Sequence, residues 1–320
     1  MAKPLTYNAT LAERIDLTDA LSIFKIQPDE PPAQRPWFTA GQYCVIGLNN
    51  EAQPELGSVS RSMSIASAPE EEGPVEFYIR WVGKPESDNP LTHLLWKVKT
   101  GDRIYLRTKA VGHFTVEHCV GAGDSRLRVM VAAGTGSAPF VSMVRSEIRR
   151  NPRVDLSKYV LLHGASYPDD LGYRDELLGM VETNGLRYWG TVSRPKEAPG
   201  WTGDVGRVES YFAPDRVADL EQRIGLPTGG LTPSRASVMI CGLQGTIGET
   251  LGHLVGRGFV PDFKRIREAL GVPTEVPASL FYEQYDTEPV INIKEPSVID
   301  PLRARMQAAL AAQAAAASQA

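Results

Sequence analysis

Three continuous apolar runs, each followed by a turn and a helical pattern, constrain most strongly what this chain can form. The runs are RVMVAA, KYVLLHG and SVMICG. The segments behind them, FVSMVRSEIRR, YRDELLGMV and GTIGETLGHLV, repeat apolar residues at helical spacing. Continuous apolar strands alternating with helices are typical of a parallel sheet that helices cover on both faces. The pattern therefore predicts a parallel α/β domain in the second part of the chain.

The part of the chain before residue 122 has a different period. Its short segments, such as ALSIFKIQ, QYCVIGL, RSMSIAS and VEFYIRWV, are rich in β-branched and aromatic residues that partly alternate with polar ones. Such spacing predicts an antiparallel barrel or sandwich, interrupted by one helix in NPLTHLLWKV. We therefore predict a barrel domain over 1–122, an α/β domain over 123–288 and an extension over 289–320. The alanine-rich end is expected to be a helical or frayed tail without an apolar pattern that demands burial.

Charge, hydropathy and cysteine usage exclude several classes of protein. The formal net charge is −4, which provides no general attraction to nucleic acid or to an anionic membrane. No segment approaches the roughly 18 uninterrupted apolar residues of a membrane span, so we expect a cytoplasmic protein. The three cysteines are far apart and the five histidines lack metal-site spacing, so neither a disulfide framework, an iron–sulfur centre nor a metal site is expected.

Three turns after predicted strands carry residues suited to a nucleotide. In GTGSAP, Gly134 and Gly136 would let a phosphate approach the backbone, although a plain strand–helix turn explains them equally well. Ser193 and Arg194, with Arg207 after the next segment, could clamp a 2′-phosphate, or the arginines could be ordinary surface residues. Cys241 opens CGLQGTIGET at a strand end, where a buried structural thiol is the alternative.

In the first part of the chain, RSMSIAS and PLTH suggest a second site. Arg61 could pair with a pyrophosphate and Ser64 could hydrogen-bond a ring nitrogen, while PLTH at a helix start could supply amides to the same phosphates. An ordinary half-buried strand explains RSMSIAS equally well.

In their order along the chain, these segments resemble those of a bacterial ferredoxin/flavodoxin–NADP+ reductase, over roughly residues 5 to 290. FTAGQYCVIGL resembles the Gly-Gln strand of the family, RSMSIAS its RxYS flavin motif and PLTHLL its GPLT element. VAAGTGSAPFVSMVR resembles the TGxAPF nucleotide loop, and TVSR, GRV, MICG and FYEQY complete the set. The resemblance implies an antiparallel FAD-binding β-barrel of six strands, followed by a parallel α/β NADP-binding domain.

The resemblance also implies roles for individual residues. Arg61 would bind the FAD pyrophosphate, Ser64 would lie near flavin N5, and Thr135 would lie where the flavin and nicotinamide sites meet. The implied FAD-binding set is Arg61, Ser62, Met63, Ser64, Arg80, Pro90, Leu91, Thr92, Thr135 and Tyr285, with Tyr285 as the ring that stacks on the flavin. The implied NADP-binding set is Gly134, Gly136, Ser193, Arg194, Arg207, Leu243, Gln244, Gly245 and Glu249. The implied catalytic positions are Ser64, Cys241 and Glu283.

The sequence departs from the family pattern at three of these places. Met63 stands where the family has tyrosine, and a methionine offers polarizable packing without a hydroxyl. Asn89 replaces the glycine of GPLT. Ser166 stands where the family has an arginine after its HGV segment.

The implied activity is the transfer of electrons between NADPH and a ferredoxin or flavodoxin through bound FAD, by a monomeric enzyme. An acidic carrier could be attracted by Arg145, Arg149, Arg150, Arg153 and Lys158, or these could form a solvated helix face and loop. Three alternatives remain open: a reductase that feeds an oxygenase or cytochrome through a separate carrier, an NADH-dependent enzyme, and a non-catalytic flavin-binding redox sensor.

Overall fold

The computed structural model describes residues 4–30, 32–121 and 123–317. Its contacts group the chain into two compact units. The first contains the described residues of Met1–His118 together with Ala138–Val154, and the second contains those of Cys119–Ser137 and Asp155–Ala320. The predicted domain boundary, Ala122, lies outside the described residues.

The first unit is built on six antiparallel strands. They are β1 (Ala9–Thr18), β2 (Leu21–Pro28), β3 (Tyr43–Asn49), β4 (Ser58–Ser64), β5 (Val75–Arg80) and β6 (Arg103–Leu106). Their order in the sheet is β4-β3-β6-β1-β2-β5. The two edge strands meet where Ile65, just after β4, forms a single antiparallel bridge with Phe77 of β5. The predicted barrel is therefore a six-stranded antiparallel sheet whose edges are joined at one bridge.

Alternation of apolar and polar residues explains why this sheet has a core. Phe24, Ile46, Phe77 and Leu106 are fully buried; the alternation is clear around Leu106, whereas β5 is buried along all but its last residue. The described helices of this part of the chain are α1 (Leu91–Leu95), α2 (Val116–Cys119) and α3 (Ala138–Arg150). The predicted helix in NPLTHLLWKV is α1.

The second unit is built on six parallel strands. They are β7 (Leu127–Ala133), β8 (Tyr159–Ala165), β9 (Arg187–Val192), β10 (Asp204–Val205), β11 (Ala236–Gly242) and β12 (Leu280–Gln284). The helices of this unit are α4 (Arg174–Asn184), α5 (Val217–Arg223), α6 (Gln244–Val255), α7 (Lys264–Ala269) and α8 (Pro296–Ala317). The three apolar runs of the sequence are β7, β8 and β11, and all three are central strands. The predicted parallel sheet is confirmed.

The order of the parallel strands creates a switch point. The sheet reads β10-β9-β8-β7-β11-β12, so the chain winds outward from β7 in one direction and then resumes on the other side of β7 at β11. In sheets of this kind ligands bind beyond the carboxyl ends of the strands where the winding direction changes. The turns that follow β7 and β11 flank this point.

The C-terminal helix bears on the expectation that the alanine-rich end has no apolar pattern that demands burial. Helix α8 buries Ile299, Leu302 and Met306, the last of them completely. These residues recur every three or four positions and share one helix face; Ile299 and Leu302 precede the alanine-rich end, and Met306 lies within it. Among the described residues, no helix combines the length and the apolarity that a membrane span needs.

Candidate functional site

Residues predicted to bind a nucleotide follow the carboxyl ends of five parallel strands in the second unit. The Gly134–Ser137 turn follows β7, Ser193 and Arg194 follow β9, and Arg207 follows β10. Leu243 follows β11 and Tyr285 follows β12. Because all these strands are parallel, their carboxyl ends share one edge of the sheet. The fold therefore brings this part of the predicted set to one edge.

The turn after β7 favours glycine at two positions, for two different reasons. Gly134 has φ +54°, in the left-handed region that favours glycine. A Cβ on Gly136 would lie 2.2 Å from the carbonyl oxygen of Cys241. The absent side chain therefore lets the turn after β7 approach the carboxyl end of β11 closely, while Gly134 and Thr135 at the start of the turn remain partly exposed.

His163 holds this turn from below, a role that the sequence analysis missed. Its Nε2 lies 3.2 Å from the Gly134 carbonyl oxygen, and its Nδ1 lies 3.4 Å from the Tyr188 hydroxyl. A carbonyl can only accept, so Nε2 donates and Nδ1 accepts from the phenol. Complete burial lowers the pKa of His163 to about 4, so the ring is neutral at pH 7. The available signal was a histidine inside an apolar strand, VLLHG.

Cys241 and Glu283 are neighbours on β11 and β12. They are register partners, with the Cys241 Sγ 4.0 Å from a Glu283 carboxylate oxygen. Burial raises the pKa of the Cys241 thiol well above its ordinary value, and the Glu283 carboxylate raises it further. Cys241 is therefore a neutral thiol, which can pack or donate a hydrogen bond but is not poised as a nucleophile.

Tyr285 ties the end of β12 to both turns at the switch point. Its backbone N–H donates to the Gly242 carbonyl over 3.0 Å, and its hydroxyl donates to the Thr135 carbonyl over 3.5 Å. The side chain remains 40% exposed. Thr135, Cys241, Glu283 and Tyr285 are thus gathered within one small region of the second unit.

Both arginines predicted to bind the 2′-phosphate have an acidic side chain close by. Arg194 donates to the Tyr167 hydroxyl over 2.8 Å, and that hydroxyl donates to Glu197 over 2.7 Å. Arg207 forms an ion pair with Glu209. The sequence analysis identified both arginines but neither carboxylate. Nothing in the residue pattern marked Glu197 or Glu209, because both lie in turns without periodicity.

The start of α6 already has a carboxylate partner. The backbone N–H of Gln244 donates to Asp286 over 2.8 Å, so Asp286 satisfies one of the amides that a helix start leaves unpaired. Leu243 before it is exposed. Glu249 is exposed in the second turn of the helix, beyond the first-turn amides. Asp286 follows FYEQY directly and was not predicted.

Apart from Thr135 and Tyr285, which belong to the second unit, the residues predicted to bind a flavin lie on adjoining elements of the first unit. Arg61 and Ser62 are exposed on β4, Ser64 is largely buried, and Met63 packs partly against the apolar core. Helix α1 contacts both β3 and β4, so Pro90, Leu91 and Thr92 at its start adjoin the strand that carries Arg61. Arg80 is exposed at the end of β5.

Asn89, which replaces the expected glycine, forms side-chain hydrogen bonds that fix the loop before α1. Its side-chain amide donates to the Leu56 carbonyl over 3.2 Å, and its amide oxygen accepts from Asn50 over 2.9 Å. The hydroxyl of Thr92 accepts from the Val82 backbone N–H over 3.4 Å. The loop before α1 is therefore held by side chains where the family pattern has a bare backbone.

The basic residues of α3 are not a free cationic surface. Arg145 pairs with Glu76, Arg149 with Glu71 and Arg150 with Glu70, at 2.8 to 3.0 Å. All these groups belong to the first unit, and the carboxylates come from the acidic turn APEEEG and from β5. The suggestion that these three arginines attract an acidic carrier is therefore weakened, because their charges are matched within the unit. Arg153 and Lys158 are exposed.

Comparison with known proteins agrees with this arrangement. Residues 130–250 match the family model described as the oxidoreductase NAD-binding domain. Ferredoxin–NADP reductase A of Sorangium cellulosum is 30% identical over 262 residues, which are 78% of this chain and 83% of that protein. NADH-cytochrome b5 reductase 1 of Emericella nidulans is 26% identical over 240 residues, which are 73% of this chain and 69% of that protein.

A solved structure has the same fold. The ferredoxin NADP+ reductase of Neisseria gonorrhoeae, a structure with bound FAD and NADP, superposes with a TM-score of 0.67 at 25% identity. The superposition covers 87% of this chain and 98% of the other. Together with the identity and coverage of the Sorangium relative, this means that the chain belongs to the ferredoxin/flavodoxin–NADP reductase family of oxidoreductases.

Proposed function

We propose that this protein is an FAD-dependent oxidoreductase that moves electrons between NADPH and a one-electron carrier, ferredoxin or flavodoxin. The observation that carries the proposal is the switch point of the parallel sheet. There the Gly134–Ser137 turn meets the Cys241 carbonyl with no room for a side chain, and two arginines follow the neighbouring strands β9 and β10. This combination suits a nucleotide with a phosphate on its ribose.

The first unit offers residues that fit FAD. Arg61 and Ser62 are exposed on β4, where a guanidinium and a hydroxyl suit a pyrophosphate, and Arg80 is exposed at the end of β5. Pro90, Leu91 and Thr92 adjoin the same strand through the contact of α1 with β4. We assign these residues and Ser64 to the flavin, with Ser64 near N5.

The second unit offers residues that fit NADP(H). Gly134 and Gly136 supply backbone that a phosphate can approach, and Leu243, Gln244 and Gly245 form the facing turn. Ser193, Arg194 and Arg207 would read the 2′-phosphate, because a guanidinium binds a phosphate through two parallel hydrogen bonds. Glu249 is the weakest member of the set, since it lies one helical turn farther along α6.

The chain's part in the reaction is to position groups. Bound FAD would supply the chemistry, which is hydride exchange with nicotinamide and exchange of single electrons with a carrier. Hydride transfer needs close alignment of two atoms and no strong acid or base. Cys241 stays a neutral thiol beside Glu283, so this pair adds a hydrogen-bond donor and packing, and the thiol adds no charge, where the two turns meet.

The direct test is flavin reduction. The FAD-loaded protein is mixed with NADPH without oxygen, flavin absorbance is followed, and a panel of ferredoxins and flavodoxins is then supplied as acceptors. We expect rapid bleaching by NADPH and reoxidation by at least one carrier. A protein that holds FAD but is not bleached by NADPH or NADH would instead be a flavin-binding sensor. Bleaching without reoxidation by any carrier of the panel would point to a different acceptor.

Replacement of the arginines tests the choice of nucleotide. We expect Arg194→Ala and Arg207→Ala each to lower kcat/KM for NADPH by about 10- to 100-fold, the scale of a lost charge-assisted contact, and to change kcat/KM for NADH little. Arg265→Ala, an exposed arginine on α7, is the matched control and should change neither. Equal losses with both nucleotides would show that the 2′-phosphate is not read here.

A second candidate is an NADH-dependent reductase that serves a cytochrome. It is favoured by the similarity to an NADH-cytochrome b5 reductase and by the carboxylates beside both arginines. The same comparison of kcat/KM for NADPH and NADH decides between the two candidates. We further propose that the protein is a monomer, which light scattering of the FAD-loaded chain would test.

A further inference from the structure

We propose that Glu209 is a positioning residue that orients Arg207 toward the 2′-phosphate and thereby sets the preference for NADPH over NADH. This inference rests on the function proposed above. It starts from an asymmetric ion pair: the side chain of Glu209 is 5% exposed, whereas that of Arg207 is 63% exposed. One partner is fixed within the unit, and the other reaches into solvent at the edge of the sheet.

The residues that precede and follow Glu209 in its turn are anchored in the apolar core. It lies in the short helical turn Val208–Phe212, in which Val208, Tyr211 and Phe212 are buried members of the apolar cluster. The turn follows β10 directly, and Gly206 continues the ladder by donating to the Val192 carbonyl over 2.9 Å. The carboxylate therefore occupies a position that the fold determines.

The ion pair leaves the binding edge of Arg207 available. Glu209 contacts the Nε side of the guanidinium. A guanidinium presents two edges to anions, the Nε–Nη2 side and the Nη1–Nη2 end, so a carboxylate at Nε leaves the end to bind a second anion. On that edge Nη2 lies 3.4 Å from the position that a Cβ on Gly245 would take. The contact with Glu209, and the lack of a side chain on Gly245, thus allow the guanidinium to lie beside the start of α6, which we assign to the nucleotide.

Orientation and charge have opposite effects on phosphate binding. Holding a long, exposed side chain in one conformation removes an ordering cost that a phosphate would otherwise have to meet. The negative charge of Glu209, by itself, would weaken the attraction for phosphate. We infer that the effect of orientation outweighs that of charge. Glu209→Gln removes the charge and keeps the contact, whereas Glu209→Ala removes both, so the two variants separate the effects.

The experiment measures binding of 2′,5′-ADP and 5′-AMP by calorimetry to the FAD-loaded protein. We expect Glu209→Ala to reduce the preference for 2′,5′-ADP by about 10-fold, and Glu209→Gln, which still accepts from Nε, to keep or increase it. In an Arg207→Ala background, Glu209→Ala should have no further effect. Glu268→Ala, an exposed acid on α7, is the matched control. In kinetics, Glu209→Ala should raise KM for NADPH and leave kcat unchanged.

Several outcomes would overturn the inference. The first is an unchanged preference for 2′,5′-ADP in Glu209→Ala. The second is an increased preference in both Glu209 variants, which would show an effect of charge alone. The third is a loss of preference in Glu209→Ala that adds fully to the loss caused by Arg207→Ala. Arg207→Lys gives an independent test should Glu209→Ala fail to fold. It keeps the charge but not the fork, and we expect it to lose the preference as Arg207→Ala does; a retained preference would show that orientation is not needed.

The inference and the proposed function fail in different ways. If neither NADPH nor NADH reduces the flavin while the binding pattern holds, the proposed reaction is wrong and the role of Glu209 stands. If the parent protein binds 2′,5′-ADP no better than 5′-AMP, the role of Glu209 is wrong, whether or not the flavin is reduced.

Discussion

At the scale of single residues, His163 connects the parallel sheet to the turn at the switch point. Its ring is buried between the Gly134 carbonyl and the Tyr188 hydroxyl, and the neutral ring with its proton on Nε2 satisfies both contacts. A protonated ring would have to donate from both nitrogens, and it would place a charge in the core. The integrity of the turn is therefore linked to the protonation of this one side chain.

This linkage predicts a loss of stability in mild acid. The pKa of His163 is about 4 in the folded chain, against an ordinary value of 6.5, so the unfolded chain binds the proton more tightly. Its contribution is fully present above about pH 6.5 and is lost as the pH falls toward 4, by about 3 kcal/mol in total. Urea unfolding between pH 7 and 4.5 should show a smaller loss in His163→Gln than in the parent. Identical slopes would contradict the assignment.

Met63 gives a second prediction at this scale. It packs partly against the apolar core from β4, where the family pattern has a tyrosine. If residue 63 touches the flavin, Met63→Tyr should retain FAD and shift its absorption spectrum, because an aromatic hydroxyl replaces a thioether beside the ring. An unchanged spectrum, with full FAD content, would show that residue 63 does not touch it.

At the scale of elements, side chains of α3 form hydrogen bonds with the segment that follows β4. Ser142 donates to the Ser67 carbonyl over 2.6 Å, and Arg145 donates to the Ala66 carbonyl over 3.1 Å and pairs with Glu76 over 2.8 Å. This segment therefore gains its fixed position from a helix that lies far from it in sequence.

Of the ion pairs that α3 forms, the buried pair of Arg145 and Glu76 should contribute most to stability. The side chains of Arg145 and Glu76 are only 14% and 11% exposed, so Arg145→Met leaves a buried carboxylate without its cation and should cost about 3 kcal/mol. Arg149→Met breaks an ion pair whose arginine is largely exposed and should cost less than about 1 kcal/mol. Urea unfolding of both variants checks this, and equal costs would contradict it.

At the scale of the whole molecule, the extension beyond β12 is part of the fold of the second unit. Helix α8 inserts Ile299, Leu302 and Met306 into the apolar cluster that also contains Leu251 and Leu254 of α6. Polar contacts accompany them, since Gln307 donates to the carbonyls of Leu270 and Gly271. The extension therefore covers apolar surface that the rest of the unit leaves open.

Truncation of the central apolar residue of α8 measures this contribution. Met306→Ala removes a fully buried side chain and should lower the free energy of unfolding by about 3 kcal/mol. Ala308→Ser, on the exposed side of the same helix, should change it by less than about 1 kcal/mol. Comparable losses in the two variants would show that α8 does not depend on this packing.

The sequence by itself determined the two periods, the antiparallel strands of the first unit, the parallel sheet of the second and the order of motifs that identified the family. These are local patterns, because burial of one face or of both faces repeats along a few residues of chain. The same reasoning missed the buried stripe of α8, which is short and runs into an alanine-rich end, and β10, which is only two residues long.

Only the tertiary structure decided which of these segments meet. Strand order places the turns after β7 and β11 together, and pairing across the fold neutralises the arginines of α3 and joins Arg207 to Glu209 and His163 to Gly134. Contacts of this kind depend on which strand neighbours which and on how turns are anchored in the core. No periodicity in the sequence records them, so their chemistry became visible only in the folded chain.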